Sequence, residues 1–175
     1  MEQTYEITER LLYRFKLQIG EDYARYRNHV NRVFSFCIHL DEGRNSEKYA
    51  IAAVFHDIGI WTEQTIDYLE PSIAEAEKYL IESGKQEWIE EISLMIHWHH
   101  KTSTYKGNYS KTVETFRKAD WTDVSLGVLH YGIQSAEIQN IKKQFPNLGF
   151  HWFLIKKISR NLLQHPLNPL PMFTR

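Results

Sequence analysis

The segment AIAAVFHDIG, residues 50–59, places a histidine and an aspartate at the end of an apolar run. His56 and Asp57 follow six apolar residues directly. An ionised carboxylate is unfavourable to remove from water unless a partner compensates its charge. We therefore expect this pair either to face water or to meet partners from elsewhere in the chain.

Three more side chains of the ligand type lie on apolar stripes of predicted helices. A lone histidine in such a stripe, such as His29 or His99, is more often a hydrogen-bonded core residue than a ligand. A buried Asp120 needs a partner, and the neighbouring Arg117 and Lys118 should point away from it on the same helix. The three stripes are Tyr26, His29, Val33, Phe36, Leu40; Ile89, Ile92, Ile96, His99; and Val113, Phe116, Asp120, Val124.

A single cation would explain these polar residues together. A divalent ion held by His29, His56, Asp57 and Asp120 would offset the desolvation of all four side chains. Adjacent residues on an ideal helix diverge by about 100°, so the ion must lie between the directions of His56 and Asp57. Two imidazoles and two carboxylates suit Mn, Fe, Co, Ni or Zn. The sequence therefore predicts a divalent metal site.

The elements that must position these residues are helices. Apolar residues recur at intervals of three and four along nearly the whole chain, and no segment alternates with period two. We predict an all-α, single-domain bundle of about six to eight helices over residues 1–175, with the proline-spaced tail HPLNPLPMFTR extended across it. Gly59 and Gly84 are predicted helix ends. The predicted helices cover residues 21–40, 46–59, 71–84, 86–100, 111–125, 135–145 and 150–164.

Composition narrows the classes of function. The chain has 21 basic and 22 acidic residues, a balance that favours neither a nucleic acid polymer nor an anionic membrane as partner. Cys37 is the single cysteine, which excludes an intrachain disulfide and an all-cysteine zinc site. The start of the chain lacks a signal-peptide pattern, and no stretch approaches the ~18 apolar residues of a membrane span. We expect a cytoplasmic protein, with a homodimer left open.

The order of these residues resembles the H…HD…D signature of the HD-domain superfamily of metal-dependent phosphohydrolases. The matching residues are His29, the pair His56 and Asp57 followed by IG, and Asp120 within RKADWTD. The resemblance spans about residues 20–130, so the C-terminal helices and tail, about 131–175, lie outside this metal-site core. It implies an all-α bundle of five or more helices in which the four residues bind a divalent metal. It also implies hydrolysis of a small phosphoester or nucleotide by a metal-activated water.

Further residues extend the resemblance towards two metals. Some HD-domain proteins hold a second ion with a histidine pair, which His99 and His100 of IHWHH match. Those proteins also carry a histidine before a proline on the intervening helix, where this chain has Glu70 before Pro71. The resemblance thus implies one or two ions. Asp57 is a candidate for orienting the water, and Glu70 and His100 are candidate proton carriers.

Three cationic residues are candidate contacts for the phosphate of a substrate. Arg32 lies one turn beyond His29, and Lys101 and Lys106 belong to the loop 101–111, which has three lysines and no acidic residue. A solvated loop is the simpler interpretation, and a mobile cationic flap is the alternative. Two other functions stay open: a di-iron oxygenase, as in a minority branch of the superfamily, and a non-catalytic, metal-stabilised module that binds a ligand or partner.

Overall fold

A computed structural model describes residues 5–65 and 67–164 of the chain. All regular elements in these residues are helical, which confirms the all-α prediction. None of the described helices is both long and apolar enough to cross a membrane. The helices are α1 Glu6–Tyr13, α2 Lys16–Ile19, α3 Tyr23–Asp41, α4 Ser46–Phe55, α5 Gly59–Thr62, α6 Leu69–Glu82, α7 Ile89–Trp98, α8 Ser110–Val124, α9 Ser135–Gln144 and α10 Phe150–Gln164.

The apolar helix α4 forms the centre of the core. Its side chains from Tyr49 to Phe55 are all fully buried. It packs against α1, α3, α6 and α7, while α3 packs along α8. Because α4 ends inside the protein, the residues that follow Phe55 start in the interior, so the His56-Asp57 pair is delivered to the core rather than to the surface.

The predicted helix end at Gly59 is wrong. α4 ends four residues earlier, and Gly59 begins the short helix α5. A side chain at this position would place its Cβ 2.5 Å from the carbonyl oxygen of Tyr68 and 2.9 Å from Cβ of Pro71. The Gly59 N–H also donates to Ser72 Oγ at 3.0 Å. The close approach of α6 therefore requires glycine here. In the sequence alone, a glycine that admits a neighbouring helix looks the same as a glycine that ends a helix.

We expect Gly59→Ala to lower the free energy of unfolding by about 1–3 kcal/mol, because a backbone carbonyl must move to admit the methyl group. Chemical denaturation followed by circular dichroism measures this change. Gly107→Ala is the matched control, since its Cβ would meet only the side chain of Tyr105. An equal loss of stability in the two variants would contradict the packing argument.

Most other predicted helices agree with the structure. α8 and α9 begin and end within one residue of the predicted ranges, and α10 matches its predicted range. α6 begins at Leu69, two residues before the predicted start, and Gly84 follows its end with a positive φ of 69°. α1 was not predicted, and its Leu11 and Leu12 are buried in the core. The proline-spaced tail lies outside the described residues.

Asp41, the last residue of α3, joins α3 to α4 and α8. Its carboxylate accepts hydrogen bonds from Asn45 Nδ2 at 2.7 Å and Tyr49 OH at 3.1 Å. Lys111 Nζ lies 2.8 Å from its second oxygen. Burial by itself would raise the pKa of Asp41, but the bonds from Lys111, Asn45 and Tyr49 lower it below the usual value. The ionised carboxylate therefore stabilises the fold.

The direction of this pKa shift predicts how the stability of the protein depends on pH. The pKa of Asp41 is lower in the folded than in the unfolded state, so its contribution is present above about pH 4 and is lost as the pH falls through the folded value. We expect Asp41→Asn to lower the free energy of unfolding at neutral pH by about 1–3 kcal/mol. Urea unfolding from neutral pH to about pH 3 should show the two proteins converging in stability. A constant difference across this range would contradict the assignment.

Candidate metal centre

Five buried side chains from four parts of the chain converge at one point. His29 comes from α3, His56 and Asp57 from the turn after α4, His99 from the end of α7, and Asp120 from α8. His29 Nε2 lies 2.9 Å from His56 Nε2. Asp57 Oδ2 lies 3.6 Å from His29 Nε2 and 3.3 Å from His56 Nε2, and Asp120 Oδ1 lies 3.7 Å from both nitrogens. The structure thus brings an oxygen of each predicted aspartate ligand to the two facing histidine nitrogens, although Asp120 is not among the residues whose ligand atoms all lie within 4.8 Å of one another.

The three histidines present the same ring nitrogen to this point. His56 Nδ1 and His99 Nδ1 each donate to the carbonyl oxygen three residues earlier in the chain, at 2.8 and 2.5 Å. His29 Nδ1 lies 2.7 Å from Asp123 Oδ2. Carbonyl and ionised carboxylate oxygens only accept hydrogen bonds, so Nδ1 carries a proton in each ring. The Nε2 atoms are therefore the nitrogens available to a cation.

Two overlapping groups of ligand atoms are close enough to hold an ion. One comprises His29, His56 and Asp57, the other Asp57, His99 and His100, and within each group the atoms lie within 4.8 Å of one another. Ligand bonds of about 2.1 Å place neighbouring ligand atoms roughly 3 to 3.5 Å apart, close to the separations in the first group. Asp57 belongs to both groups, so its carboxylate can serve two positions.

Unpaired buried atoms support the same interpretation. Asp57 Oδ1 and His99 Nε2 are buried, lie 3.6 Å apart, and have no hydrogen-bond partner among the described residues. Buried polar atoms are seldom left unpaired in folded proteins. A divalent cation between a carboxylate oxygen and an imidazole nitrogen would satisfy both, and this mixed donor set suits the borderline divalent metals. The residues present therefore fit a metal ion.

The electrostatics of the cluster also favour added positive charge. Burial by itself would lower the pKa of His29, yet its bonds to Asp123 and Asp57 raise it to about 9. Burial lowers the pKa of His56 to about 3 and raises that of Asp120 to about 6. Although burial opposes ionisation of Asp57, the surrounding histidines hold its pKa well below the usual range. The negative charges of the buried carboxylates thus keep His29 protonated at neutral pH. A bound cation could compensate the same charges in place of this proton.

A tyrosine joins the second group. Tyr68 OH hydrogen-bonds His100 Nε2, and the His100 ring lies 3.7 Å from that of His99, centroid to centroid. Burial, and next the negative charge of Asp57, raise the pKa of Tyr68 well above its usual value, so its phenol is neutral. Sequence reasoning missed Tyr68, because a single aromatic residue before a helix carries no distinguishing pattern.

Other predicted site residues lie apart from the ligand groups. Glu70 is exposed in the first turn of α6 and belongs to neither group. Lys106 is exposed in the loop that follows α7. The carbonyl oxygen of Lys101 accepts hydrogen bonds from Arg117 Nη1 at 3.2 Å and Trp121 Nε1 at 3.3 Å. The start of this loop is therefore fastened to α8.

Arg32 has partners other than the phosphate predicted for it. Its guanidinium is buried, and Nε and Nη2 donate to the two oxygens of Asp123 at 2.5 and 2.8 Å. Arg32 Nη1 donates to the carbonyl oxygen of Phe145 at 2.9 Å. Asp123 was not predicted as a site residue, although its position three residues after Asp120 places both on one face of α8.

The segment that leads from α9 into the first residue of α10 covers one side of the cluster. Phe150 is fully buried and stacks on the His29 ring at 4.1 Å between centroids and 18° between planes. Asn28 Nδ2 donates to the carbonyl oxygen of Pro146 at 2.7 Å and holds the segment against α3. The surroundings of the cluster therefore extend beyond the metal-site core predicted at about residues 20–130.

Comparison of the chain with models of known families, with curated proteins and with solved structures found no match. The class of the protein is therefore defined by its own fold and site: it is an all-α protein whose buried histidine and aspartate residues could hold a metal ion.

Proposed function

We propose that this protein is a metal-dependent phosphohydrolase of the HD-domain type that acts on a small phosphoester or nucleotide. One observation carries the proposal: His29, His56, Asp57 and Asp120 match the H…HD…D order in the sequence, and in the structure the two histidine Nε2 atoms lie 2.9 Å apart with an oxygen of each aspartate 3.3–3.7 Å from both. Such convergence of residues from three helical regions is unlike ordinary core packing, where a buried histidine has its own separate partner.

In the proposed hydrolysis, different residues have different roles. His29, His56, Asp57 and Asp120 would hold the ion, which when bound supplies Lewis-acid stabilisation of a phosphoryl oxygen and a water of lowered pKa. Asp57 has a second oxygen, Oδ1, available to orient the attacking water.

Proton transfer falls to two neighbouring groups. Burial, and then the nearby His99, keep the pKa of His100 well below its usual value, so this imidazole is neutral. A neutral imidazole can accept a proton, and its bond to the neutral phenol of Tyr68 orients it. His100 and Tyr68 are therefore the proposed proton-transfer pair. Glu70, exposed and outside both ligand groups, takes no part in this proposal.

A di-iron oxygenase is the second candidate. The observation that favours it is Asp57, whose two oxygens face different histidines: Oδ2 faces His29 and His56, and Oδ1 faces His99. If two ions were bound, His29, His56 and Asp57 would hold the first, and Asp57, His99 and His100 would hold the second. Two bound irons and oxygen uptake in the presence of a substrate would distinguish this function from hydrolysis.

Metal analysis and a substrate panel test the proposal. Protein purified without chelator is analysed for metal per chain, then incubated with Mn, Co or Zn and a panel of nucleotides and sugar phosphates. We expect one or two divalent ions per chain and phosphate release from at least one compound. Metal-loaded protein that releases no phosphate from the panel would contradict hydrolysis and favour the non-catalytic binding module. Protein that takes up none of these metals would contradict the metal site itself.

A further inference from the structure

Asp123 contacts a predicted metal ligand without being one. Its Oδ2 lies 2.7 Å from His29 Nδ1, on the opposite edge of the ring from the Nε2 that faces the cluster. Both side chains are buried, at 1% and 3% exposure. A carboxylate whose two oxygens pair with a guanidinium, as those of Asp123 do with Arg32, accepts hydrogen bonds, so His29 donates to it through Nδ1.

Arg32 holds Asp123 in turn. Two parallel donors, Nε and Nη2, reach the two oxygens of Asp123 at 2.5 and 2.8 Å. Such a paired contact fixes the plane of a carboxylate as well as its position. With the carboxylate fixed, the direction of the hydrogen bond to His29 is fixed too.

The third donor of Arg32 connects this network to the cover of the site. Arg32 Nη1 donates to the carbonyl oxygen of Phe145, and the same segment carries Phe150, whose ring stacks on His29. The imidazole is thus held at its edge by Asp123 and on its face by Phe150. Arg32 thus contacts Asp123 directly and, through the carbonyl oxygen of Phe145, the segment that carries Phe150, which an ion pair serving helix packing alone would not require.

We propose that Asp123, fixed by Arg32, is the positioning residue of His29: it sets the ring orientation and keeps the proton on Nδ1, so that Nε2 is presented to the metal. This inference rests on the proposed metal-dependent function. A carboxylate that accepts from a metal-bound histidine typically contributes 10- to 100-fold to metal affinity. Asp123 acts through His29 and does not itself bind the ion.

Asp123→Asn and a matched control test the assignment. Glu114 lies on the same helix, is buried, and accepts two hydrogen bonds of 2.8 Å from Arg117. Glu114→Gln therefore perturbs a similar buried pair without touching His29. Binding of Co²⁺ to the full chain is measured by visible absorption in competition with a chelator. We expect Asp123→Asn to weaken binding about 10- to 100-fold, and Glu114→Gln to bind as the wild type does.

A second measurement reports directly on the protonation of the His29 imidazole. In metal-free protein labelled with ¹⁵N-histidine, nuclear magnetic resonance should show a protonated, exchange-protected Nδ1 at His29. Asp123→Asn should remove this protection, while Glu114→Gln should keep it. Arg32→Lys provides a further variant that keeps the charge and the Asp123 carboxylate but loses the paired contact. It should lower Co²⁺ affinity and weaken the protection, even if Asp123→Asn does not fold.

The outcomes separate the two levels of the argument. Wild-type protein that binds neither Co²⁺ nor Zn²⁺ would overturn the proposed function together with this role of Asp123. Wild-type binding that Asp123→Asn and Arg32→Lys leave unchanged would overturn only the positioning role. Equal losses of affinity in Asp123→Asn and Glu114→Gln would also overturn it, because they would reflect general destabilisation.

Discussion

Replacing Asp57 with asparagine is expected to abolish metal binding and to lower metal-dependent phosphate release on the order of 1,000-fold, about 4 kcal/mol in transition-state stabilisation. Asp57 is the residue that both ligand groups share. An asparagine of the same shape removes the negative charge, and it offers one neutral carbonyl oxygen in place of two anionic carboxylate oxygens. Both metal positions are therefore weakened by one substitution.

Elemental analysis of metal per chain, before and after reconstitution with Mn, Co or Zn, measures this effect beside phosphate release. Asp41→Asn is the matched control, because it removes another buried, ionised aspartate at the end of α3, away from the cluster. We expect the control to lose stability and to keep its metal. An Asp57→Asn protein with a full complement of metal and wild-type turnover would contradict the assignment of the centre.

Replacing Asp120 with asparagine is expected to raise the stability of the metal-free protein while removing most of the stabilisation that metal provides. Asp57, Asp120 and Asp123 are three buried carboxylates around His29. Burial, together with the negative charges of Asp57 and Asp123, raises the pKa of Asp120 to about 6, so without a cation its ionised carboxylate opposes folding. A neutral amide of similar shape relieves part of this cost. Residues kept for binding commonly reduce stability in this way.

Thermal unfolding with chelator measures the stability of the metal-free protein, and thermal unfolding with excess metal measures the stabilisation that metal adds. At a free metal concentration 100 times the dissociation constant, binding stabilises the wild type by about 2.7 kcal/mol, equivalent to roughly 5–10 °C in a chain of this length. Metal-free Asp120→Asn should melt about 2–4 °C above metal-free wild type, a gain of about 1 kcal/mol. Its own shift on adding metal should be less than about a third of the wild-type shift. A lower metal-free melting temperature with an unchanged metal shift would argue against this role of Asp120.

Several features of the molecule could be predicted from the sequence because they depend on neighbours within a few residues. The spacing of apolar residues predicts helices, and α8, α9 and α10 follow that spacing closely. The same periodicity identifies a polar side chain on an apolar stripe, which is how His29 and Asp120 were selected. Both are buried. Gly59 shows the limit of local signals, because a glycine that ends a helix and one that admits a neighbouring helix look the same in sequence.

The supports of the cluster could not be read from the sequence. Asp123 meets His29 across 94 residues and Arg32 across 91, and Arg32 reaches the carbonyl oxygen of Phe145 across 113. Arg32 carries the charge expected of a phosphate contact, and only its three buried hydrogen bonds, two to Asp123 and one to Phe145, show a different use.

The sequence by itself thus determined the helical class, most helix boundaries and the ligand types that the core contains. Only the tertiary structure decided that the Nε2 atom of each histidine faces the cluster, that Asp57 serves two groups, and that Phe150 covers His29. The physical reason is that helical periodicity fixes which face of a helix is buried. Which residues meet across two such faces depends on how the helices cross, and this is settled by packing of the whole core.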